Sequence, residues 1–367
     1  MKKTGRNWTR YFVPGFLFQS VVIGGGYGTG AEIAQYFAMR GMLGGALGLM
    51  VTTLVWSLLC AVTFLFAQRY RTFDYHSLMK TLLGKWSFLY EGCYLTMLLI
   101  VLGVINATAG SMIGSLGFSP WLGVGILSGS IFWLVVKGTE AVEKALSFWS
   151  IVLYAVYALF LIAVFIKFGS RITSEIAKHQ ISGNWLMSGL QYSFYNLGVV
   201  PALLYTIRDM KDTREAAISG ALAGLIGVIP ALFLLLAMGC DLPMVVQAEV
   251  PVAVIFSMLH HRWLFCAFQI VLFGTLVETG TGYIKAVTDR VETAVRHPYG
   301  TTPAKLRPTV TAGLIIFGVG VSSFGLTGLV AKGYGTVCWG FLLTYVFPML
   351  TVGVRKIWRE KNERLLR

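Results

Sequence analysis

Charged side chains are scarce in this chain of 367 residues. They make up 13% of it, whereas 56% of its residues are hydrophobic. This composition leaves no stretch of useful length for a soluble domain, so most side chains are expected to contact lipid or other membrane helices. We predict an all-α membrane protein with a single transmembrane domain over residues 1–367.

Motifs for metal binding, catalysis and nucleotide binding are also missing. The five cysteines have no CxxC or ligand spacing, and the five histidines form no HExxH motif. A glycine-rich run occurs, but no Lys-Ser or Lys-Thr follows it, so it is not a nucleotide loop. We predict no disulfide, no metal site, no cofactor and no enzyme activity.

The net charge of +14 does not indicate nucleic acid as a partner, because nearly all Lys and Arg fall between apolar runs. If the N-terminus is cytoplasmic, most of these basic residues lie in cytoplasmic loops, which is the usual bias of membrane proteins. We therefore predict that both termini are cytoplasmic. We also predict that most of the protein surface contacts the lipid bilayer.

Ten apolar runs are long enough to cross a bilayer, which takes ~20 helical residues. The shorter run from Pro251 to Leu259 is predicted to be a re-entrant or surface helix between the seventh and eighth spans. The predicted spans are 11–37, 43–67, 88–116, 121–136, 146–168, 185–207, 216–239, 263–284, 310–330 and 334–354.

The first span contains five glycines between Gly24 and Gly30. Each glycine costs roughly 1 kcal/mol of helix propensity relative to alanine, so a continuous helix is not expected there. We predict two half-helices joined by an unwound segment at mid-membrane. Backbone groups freed at that depth must line a cavity or meet a ligand, and such a break is typical of a transport site.

A second break is predicted in the sixth span, between Tyr195 and Pro201, where a glycine and a proline lie close together. Similar small-residue stretches, Gly44–Leu49 and Ser219–Leu225, open the second and seventh spans. Together these features predict a 5+5 inverted repeat, with halves at about 8–168 and 184–356. The alternative is that small residues only pack helices and that this proline is an ordinary one in a membrane span.

With these two breaks and this repeat, the chain resembles the amino acid-polyamine-organocation (APC) superfamily of LeuT-type fold. Within it, the run from Gly24 to Ile33 is similar to the YkvI-like bacterial membrane proteins. The resemblance implies a bacterial cytoplasmic membrane protein that binds a small-molecule substrate. It also implies that the first break, at Gly24, Gly25, Gly26, Tyr27, Gly28, Thr29 and Gly30, holds the carboxylate of an amino acid.

The chemistry of the first break agrees with that implication. A half-helix beginning at about Thr29 would present free amides and a positive dipole end, for which a carboxylate is a natural guest. Tyr27 and Thr29 would each add a hydroxyl, or Tyr27 would pack against a neighbouring helix. Glu32, in the first turn, has three interpretations: a local cap, a ligand for a substrate ammonium, or a group in ion coupling.

Glu278 lies deep in the eighth span. Burying a carboxylate at that depth costs free energy, so such a residue indicates a functional site. In the superfamily, hydroxyls in this region and carbonyls of the first break bind sodium, a role that Thr279 matches, with Thr275 one turn earlier. Glu278 departs from that pattern, because a carboxylate can either strengthen a cation site or replace the metal by binding a proton. The sequence therefore leaves both Na⁺ and H⁺ open as the coupling ion. The structural alternative pairs Glu278 with Lys285, which is on the same helical face.

Other polar residues at membrane depth are expected to face a cavity or another helix.

We predict a secondary active transporter, a symporter of an amino acid or a related zwitterion or amine. The alternatives are a sensor or accessory subunit that binds without transport, and a channel. The sequence leaves the oligomeric state open. The further predicted substrate-binding residues are Asn106, Tyr195, Asn196 and Gly198.

Overall fold

The computed structural model describes residues 9–137, 139–299 and 303–365, and these ranges contain helices but no β-strand. Seven helical stretches in them are long and apolar enough to cross a membrane. The all-α membrane fold is therefore confirmed. The count of ten spans stays a prediction, because two of the predicted spans are interrupted and a third is a helix of 17 residues. The basic N-terminal residues 1–8 lie outside the described residues.

Nine α-helices lie in the described part of the first half of the chain. The first predicted span is divided among three of them, and a short helix, α5, precedes the third span. The helices are α1 (Thr9–Val22), α2 (Gly25–Gly28), α3 (Ala31–Tyr36), α4 (Gly41–Tyr70), α5 (Tyr75–Leu83), α6 (Ser87–Gly114), α7 (Pro120–Lys137), α8 (Thr139–Ala177) and α9 (Trp185–Leu197).

The second half begins with a 3₁₀ helix, Val200–Ile207, which continues the sixth span after α9. The remaining α-helices are α10 (Thr213–Met238), α11 (Leu242–Val246), α12 (Pro251–Leu259), α13 (Arg262–Tyr299), α14 (Leu306–Ser322), α15 (Leu326–Gly328), α16 (Gly335–Phe341) and α17 (Val354–Leu365). Three π-helical segments, Leu329–Tyr334, Leu342–Val346 and Met349–Gly353, lie between α15 and α17 and make this last span irregular.

The predicted boundary between the ninth and tenth spans is wrong. We placed it at residues 331–333, but α14 ends at Ser322 and the chain turns at Gly325. Gly325 has φ = +76°, a conformation that a side chain disfavours and glycine adopts readily. The helix then resumes at Leu326, so residues 326–330 belong to the tenth predicted span.

Close packing of α4 against α10 holds the centre of the bundle together. A Cβ atom on Gly224 would lie 2.3 Å from the backbone nitrogen of Ser57, and one on Gly220 would lie 2.5 Å from the Cys60 carbonyl carbon. Only glycine permits this approach of two helix backbones in a membrane. α1 packs on the same helix at Gly15, whose Cβ would meet Ile226 at 2.5 Å. The first span therefore lies against this central pair.

Candidate functional site

The first span is interrupted twice. α1 ends at Val22, and α2 begins only at Gly25 after two residues that leave the helix. A second interruption follows at Gly30, which has φ = +83° and precedes α3. The predicted break is confirmed in place, although the second half-helix begins at Ala31 rather than at about Thr29. The first-turn amides of α2 and α3 have no intrahelical partner by geometry, and that of Ala31 donates to the Thr29 hydroxyl at 3.4 Å.

The sixth span changes its helix type where a break was predicted. α9 ends at Leu197, and the chain continues as a 3₁₀ helix from Val200. The carbonyl oxygen of Gly198 accepts a hydrogen bond of 2.6 Å from the Tyr90 hydroxyl of α6. A side chain at Gly198 would collide with the Phe341 ring, 2.5 Å away. A carbonyl freed from the helix is thus satisfied by a neighbouring span.

Glu32 projects from the first turn of α3 into the space between the two interrupted spans. Its side chain is 2% exposed, and its Oε2 accepts a hydrogen bond of 2.5 Å from the Tyr195 hydroxyl of α9. The carboxyl lies over Gly26, where a Cβ atom would approach Oε1 to 2.5 Å, and the backbone amide of Tyr27 also faces it. The carboxylate thus lies at the amides of α2.

Six buried tyrosines lie near this carboxyl, and the Tyr195 hydroxyl contacts it directly. The ring of Tyr195 stacks on Tyr334, with centroids 4.6 Å apart, and lies 5.7 Å from Tyr36 and 5.4 Å from Tyr192. We call the group the tyrosine cage; all six members are close enough to interact electrostatically with Glu32. They are Tyr27, Tyr36, Tyr192, Tyr195, Tyr283 and Tyr334.

Thr279 joins the eighth predicted span to the first break. Its hydroxyl donates a hydrogen bond of 3.3 Å to the carbonyl oxygen of Ile23, the residue between α1 and α2. Gly24 is beside it, since a Cβ there would lie 3.5 Å from the Thr279 methyl group. The Thr275 hydroxyl instead donates to the Val271 carbonyl of its own helix, at 2.8 Å. Of the two predicted hydroxyls, Thr279 contacts the break.

Glu278 is 5% exposed, and neither of its carboxyl oxygens has a hydrogen-bond partner among the described residues. The Ser20 hydroxyl of α1 faces the carboxyl without forming a hydrogen bond. The alternative that paired Glu278 with Lys285 is wrong, because Lys285 binds Asp289 at 2.7 Å, one turn further along. Lys285 lies just past the predicted span with 22% of its side chain exposed, so its ammonium group avoids the cost of full burial.

The remaining predicted site residues have different surroundings. The Thr29 hydroxyl donates to the Gly25 carbonyl at 2.8 Å, whereas the Tyr27 hydroxyl is buried without a partner among the described residues. Asn106 donates to the Leu102 carbonyl and accepts from Ser128 of α7, so its amide joins α6 to α7. Asn196 donates to the Tyr192 carbonyl of its own helix.

A cavity of about 850 Å³ leads from one end of the bundle toward these residues. Its rim carries charged side chains, among them Asp74, Arg208 and Arg290. Its deep part is lined by Ser20, which faces Glu278, by Tyr94, which stacks on Tyr283 of the tyrosine cage, and by Val199, next to the second break. The cavity therefore reaches the Ser20 side chain, which faces Glu278, but neither buried carboxyl group lines it.

The opposite end of the site is covered by α12, the short helix predicted between the seventh and eighth spans and confirmed with the same bounds. The Val252 amide of α12 donates a hydrogen bond of 3.1 Å to the Thr29 carbonyl. A Cβ atom on Gly30 would meet Val252 at 3.1 Å and Pro251 at 3.2 Å. The site is closed at the α12 end and approached by a cavity from the α5 end.

The structure resembles solved transporters over most of its length. A Na⁺-coupled sialic acid symporter in a substrate-bound, outward-open state superposes with a TM-score of 0.67, at 11% identity over 91% of this chain and 78% of that one. MhsT in complex with L-phenylalanine superposes with a TM-score of 0.61. It is 13% identical, over 92% of this chain and 95% of that one. The chain has the LeuT-type fold. These neighbours are transporters and not enzymes.

The sequence comparison gives a relative within the predicted group. The chain is 24% identical over 286 residues to the uncharacterized membrane protein YkvI of Bacillus subtilis strain 168. The aligned part is 76% of this chain and 80% of that protein. No family model matches the chain. The resemblance to YkvI-like membrane proteins and to the LeuT-type fold is confirmed, and an integral membrane location agrees with both.

Most members of the tyrosine cage were not predicted from the sequence. Tyr27 and Tyr195 were, because they lie in the predicted breaks. Tyr36, Tyr192, Tyr283 and Tyr334 stand in apolar runs, where an aromatic residue is usually a packing residue. Thr108 of α6 was expected, as a polar residue at membrane depth, to face a cavity or another helix. Its hydroxyl would lie 2.7 Å from a Cβ on Gly25 and has no hydrogen-bond partner among the described residues.

Proposed function

We propose that this protein is a secondary active transporter, a symporter that moves a small organic solute together with Na⁺ or H⁺. The solute is an amino acid or a related zwitterion or amine. Within the described part of the chain, neither Glu32 nor Glu278 forms an ion pair, although both are buried at the interrupted helices. This observation carries the proposal.

A buried carboxylate without a counter-charge is unstable in a membrane unless it is protonated or neutralised by a cation. Two such groups at one site give the protein two positions that respond to cations. One is Glu278, which is next to Thr279 and the first break. The other is Glu32, which contacts both interrupted spans. Coupling requires two such interdependent positions, one for the ion and one for the solute.

The contrast between the two ends of the site supports alternating access. One end is closed by α12 over Gly30, and the other is approached by the cavity between α1, α5 and α13. The basic loops support a cytoplasmic position for the α5 end, and with that orientation the conformation is an inward-open state. The interrupted spans would rock against the remaining helices to open the other end. The 5+5 inverted repeat, with both termini cytoplasmic, is part of this proposal.

The rival function is a sensor or accessory subunit that binds a solute without moving it. Counterflow exchange separates the two: vesicles containing the protein are loaded with an unlabelled amino acid or amine, and entry of the same compound in labelled form is measured. A transporter gives a transient accumulation of label above the external concentration. Binding without such accumulation would support the sensor, and a rate that does not saturate would indicate a channel.

A further inference from the structure

The end of α5 and the start of α17 are in direct contact. The Lys356 ammonium of α17 donates a hydrogen bond of 2.5 Å to the Thr81 carbonyl of α5. A Cβ atom on Gly353, the residue before α17, would lie 3.5 Å from a methyl group of Leu82. The two elements therefore form one surface at the α5 end of the bundle.

This surface is basic. Residues 80–90 contain two lysines and no acidic residue, and residues 353–359 contain three basic residues and no acidic one. Beyond Arg359 the sequence has two acidic and three basic residues, so it adds no net negative charge. Four of the five basic residues are exposed and form no ion pair in the described part of the chain; they are Lys80, Lys85, Arg355 and Arg359. Neighbouring charges of one sign repel one another, and an anion between them relieves this repulsion.

The nearest acidic residues along the chain have other partners. Glu91 of α6 contacts His76 at 2.8 Å and Arg290 at 3.5 Å. Asp74 accepts hydrogen bonds from the amide and the hydroxyl of Ser77 in the first turn of α5. Neither carboxylate therefore neutralises the basic surface.

Exposed apolar side chains adjoin the charges at the junction of α5 and α6. Trp86 is 54% exposed, and its ring stacks on that of Phe88 with centroids 6.1 Å apart. The Lys85 ammonium lies 5.8 Å from the centroid of the Trp86 ring. Phe88 and Leu89 are exposed at the start of α6, in a stretch that is apolar enough to cross a membrane. The surface that α6 offers to lipid therefore begins next to the lysines.

The first turns of α17 have one packed face and one exposed face. Ile357 packs against the hydrophobic core, whereas Arg355, Trp358 and Arg359 are exposed at the spacing of one helical face. The exposed Phe347 precedes them in the last membrane-crossing stretch. Tryptophan and basic residues at the end of such a stretch are typical of the membrane–water interface. This face of α17 is therefore suited to the level of the lipid headgroups.

We propose that this surface binds the headgroup of an anionic phospholipid. The lysines and arginines attract the phosphate, and the tryptophan rings lie against the part of the lipid between headgroup and acyl chains. A free anion would use the charges alone, whereas a lipid also uses the exposed apolar side chains. The proposal does not depend on transport. We call the surface the basic–aromatic patch; it consists of Lys80, Lys85, Trp86, Arg355, Trp358 and Arg359.

The test measures binding of single lipids to the purified full chain by native mass spectrometry. Phosphatidylglycerol, which is anionic, is compared with phosphatidylcholine of the same acyl chains, which has no net charge. We expect phosphatidylglycerol to bind about 30-fold more tightly or better, because each Lys or Arg near an anionic lipid contributes roughly fivefold. High salt should weaken this preference, since exposed charges are screened. Inorganic phosphate at the same concentration should not displace the lipid.

The double variant Arg355→Gln/Arg359→Gln assigns the preference to the patch. We expect it to lower the preference for phosphatidylglycerol by about 10- to 30-fold, whereas Arg355→Lys/Arg359→Lys should retain it. The matched control is Lys137→Gln/Lys305→Gln. It removes two exposed charges from the same end of the bundle but outside the patch, since Arg307 joins the end of α7 to α13 there. The control should keep the wild-type preference.

Lys85→Gln gives an independent result from the other element of the patch, should the arginine variant not fold. We expect it to lower the preference about fivefold. Equal binding of the two lipids, displacement by inorganic phosphate, a wild-type preference in the Gln variants, or an equal loss in K137Q/K305Q would each overturn the proposal. Counterflow exchange is measured separately, so transport without a lipid preference would keep the proposed function and reject the patch.

Discussion

The hydroxyl of Tyr195 donates a hydrogen bond of 2.5 Å to the carboxyl oxygen Oε2 of Glu32. Tyr195 is in α9 and Glu32 is in α3, so this contact joins the two spans in which breaks were predicted. Glu32 is in turn fitted against Gly26, whose missing side chain leaves room for the carboxyl. The arrangement therefore depends on the first-break glycines.

We expect Gly26→Ala to destabilise the protein by about 1–3 kcal/mol, the usual cost of inserting an atom into a packed interior. The new Cβ would lie 2.5 Å from Glu32 Oε1 and 3.0 Å from a methyl group of Val330. The matched control is Gly125→Ala in α7, where a Cβ would have no neighbour within 4 Å. Unfolding of both variants in detergent measures the difference, and equal stability would contradict the packing of Glu32 over Gly26.

We expect Thr279→Val to lower the free energy of unfolding by about 1–2 kcal/mol, because the Ile23 carbonyl loses its hydrogen bond in a poorly solvated place. Thr275→Val is the control of the same size, and its hydroxyl bonds only to its own helix. Its effect should be smaller. Chemical unfolding measures both variants, and an equal or larger loss in T275V would show that the Thr279 contact does not stabilise the break.

We expect a cysteine at Gly282 to react with a membrane-impermeant thiol reagent from the cytoplasmic side only. Gly282 lines the cavity that opens at the α5 end, and a side chain there has space. The background is Cys266→Ser, since Cys266 is the exposed native cysteine in the described part of the chain. Labelling is compared between inside-out and right-side-out vesicles.

The control for this labelling is Gly129→Cys, on the exposed face of α7. We expect this face to contact lipid, so the charged reagent should not reach it. Reaction of G282C only from the outside would contradict the predicted orientation of the chain. Absence of reaction from either side would contradict the open cavity.

Local composition predicted the interruptions of the chain well. Five glycines between Gly24 and Gly30 predicted the first break, and Gly198 with Pro201 predicted the second, because glycine and proline weaken a helix wherever they occur. The bounds of α12 were also predictable, since Pro251 begins it and the apolar run ends at Leu259. These features depend on backbone energetics, which act over a few residues.

Features that depend on contacts between distant residues were harder to predict. Lys285 is seven residues from Glu278 and on the same helical face, yet it pairs with Asp289, because that carboxylate is one turn away and is 38% exposed. The tyrosine cage gathers residues from five segments, and no spacing in the sequence indicates that they meet. The interruption at Gly325 was missed because the predicted ninth span was drawn through Ser322, Ser323 and Gly325, although such residues mark a turn.

Ion-gradient-driven uptake in reconstituted vesicles tests the central claim, that the chain is a symporter coupled through Glu278. Labelled amino acids and amines are supplied under an inward Na⁺ gradient and, separately, an inward proton gradient. We predict that one gradient drives accumulation in the wild type and in the control Glu249→Gln, which alters an exposed glutamate before α12, and that Glu278→Gln, though folded, loses this dependence. Accumulation in E278Q with the ion dependence of the wild type, or no accumulation of any compound under either gradient, would contradict the account.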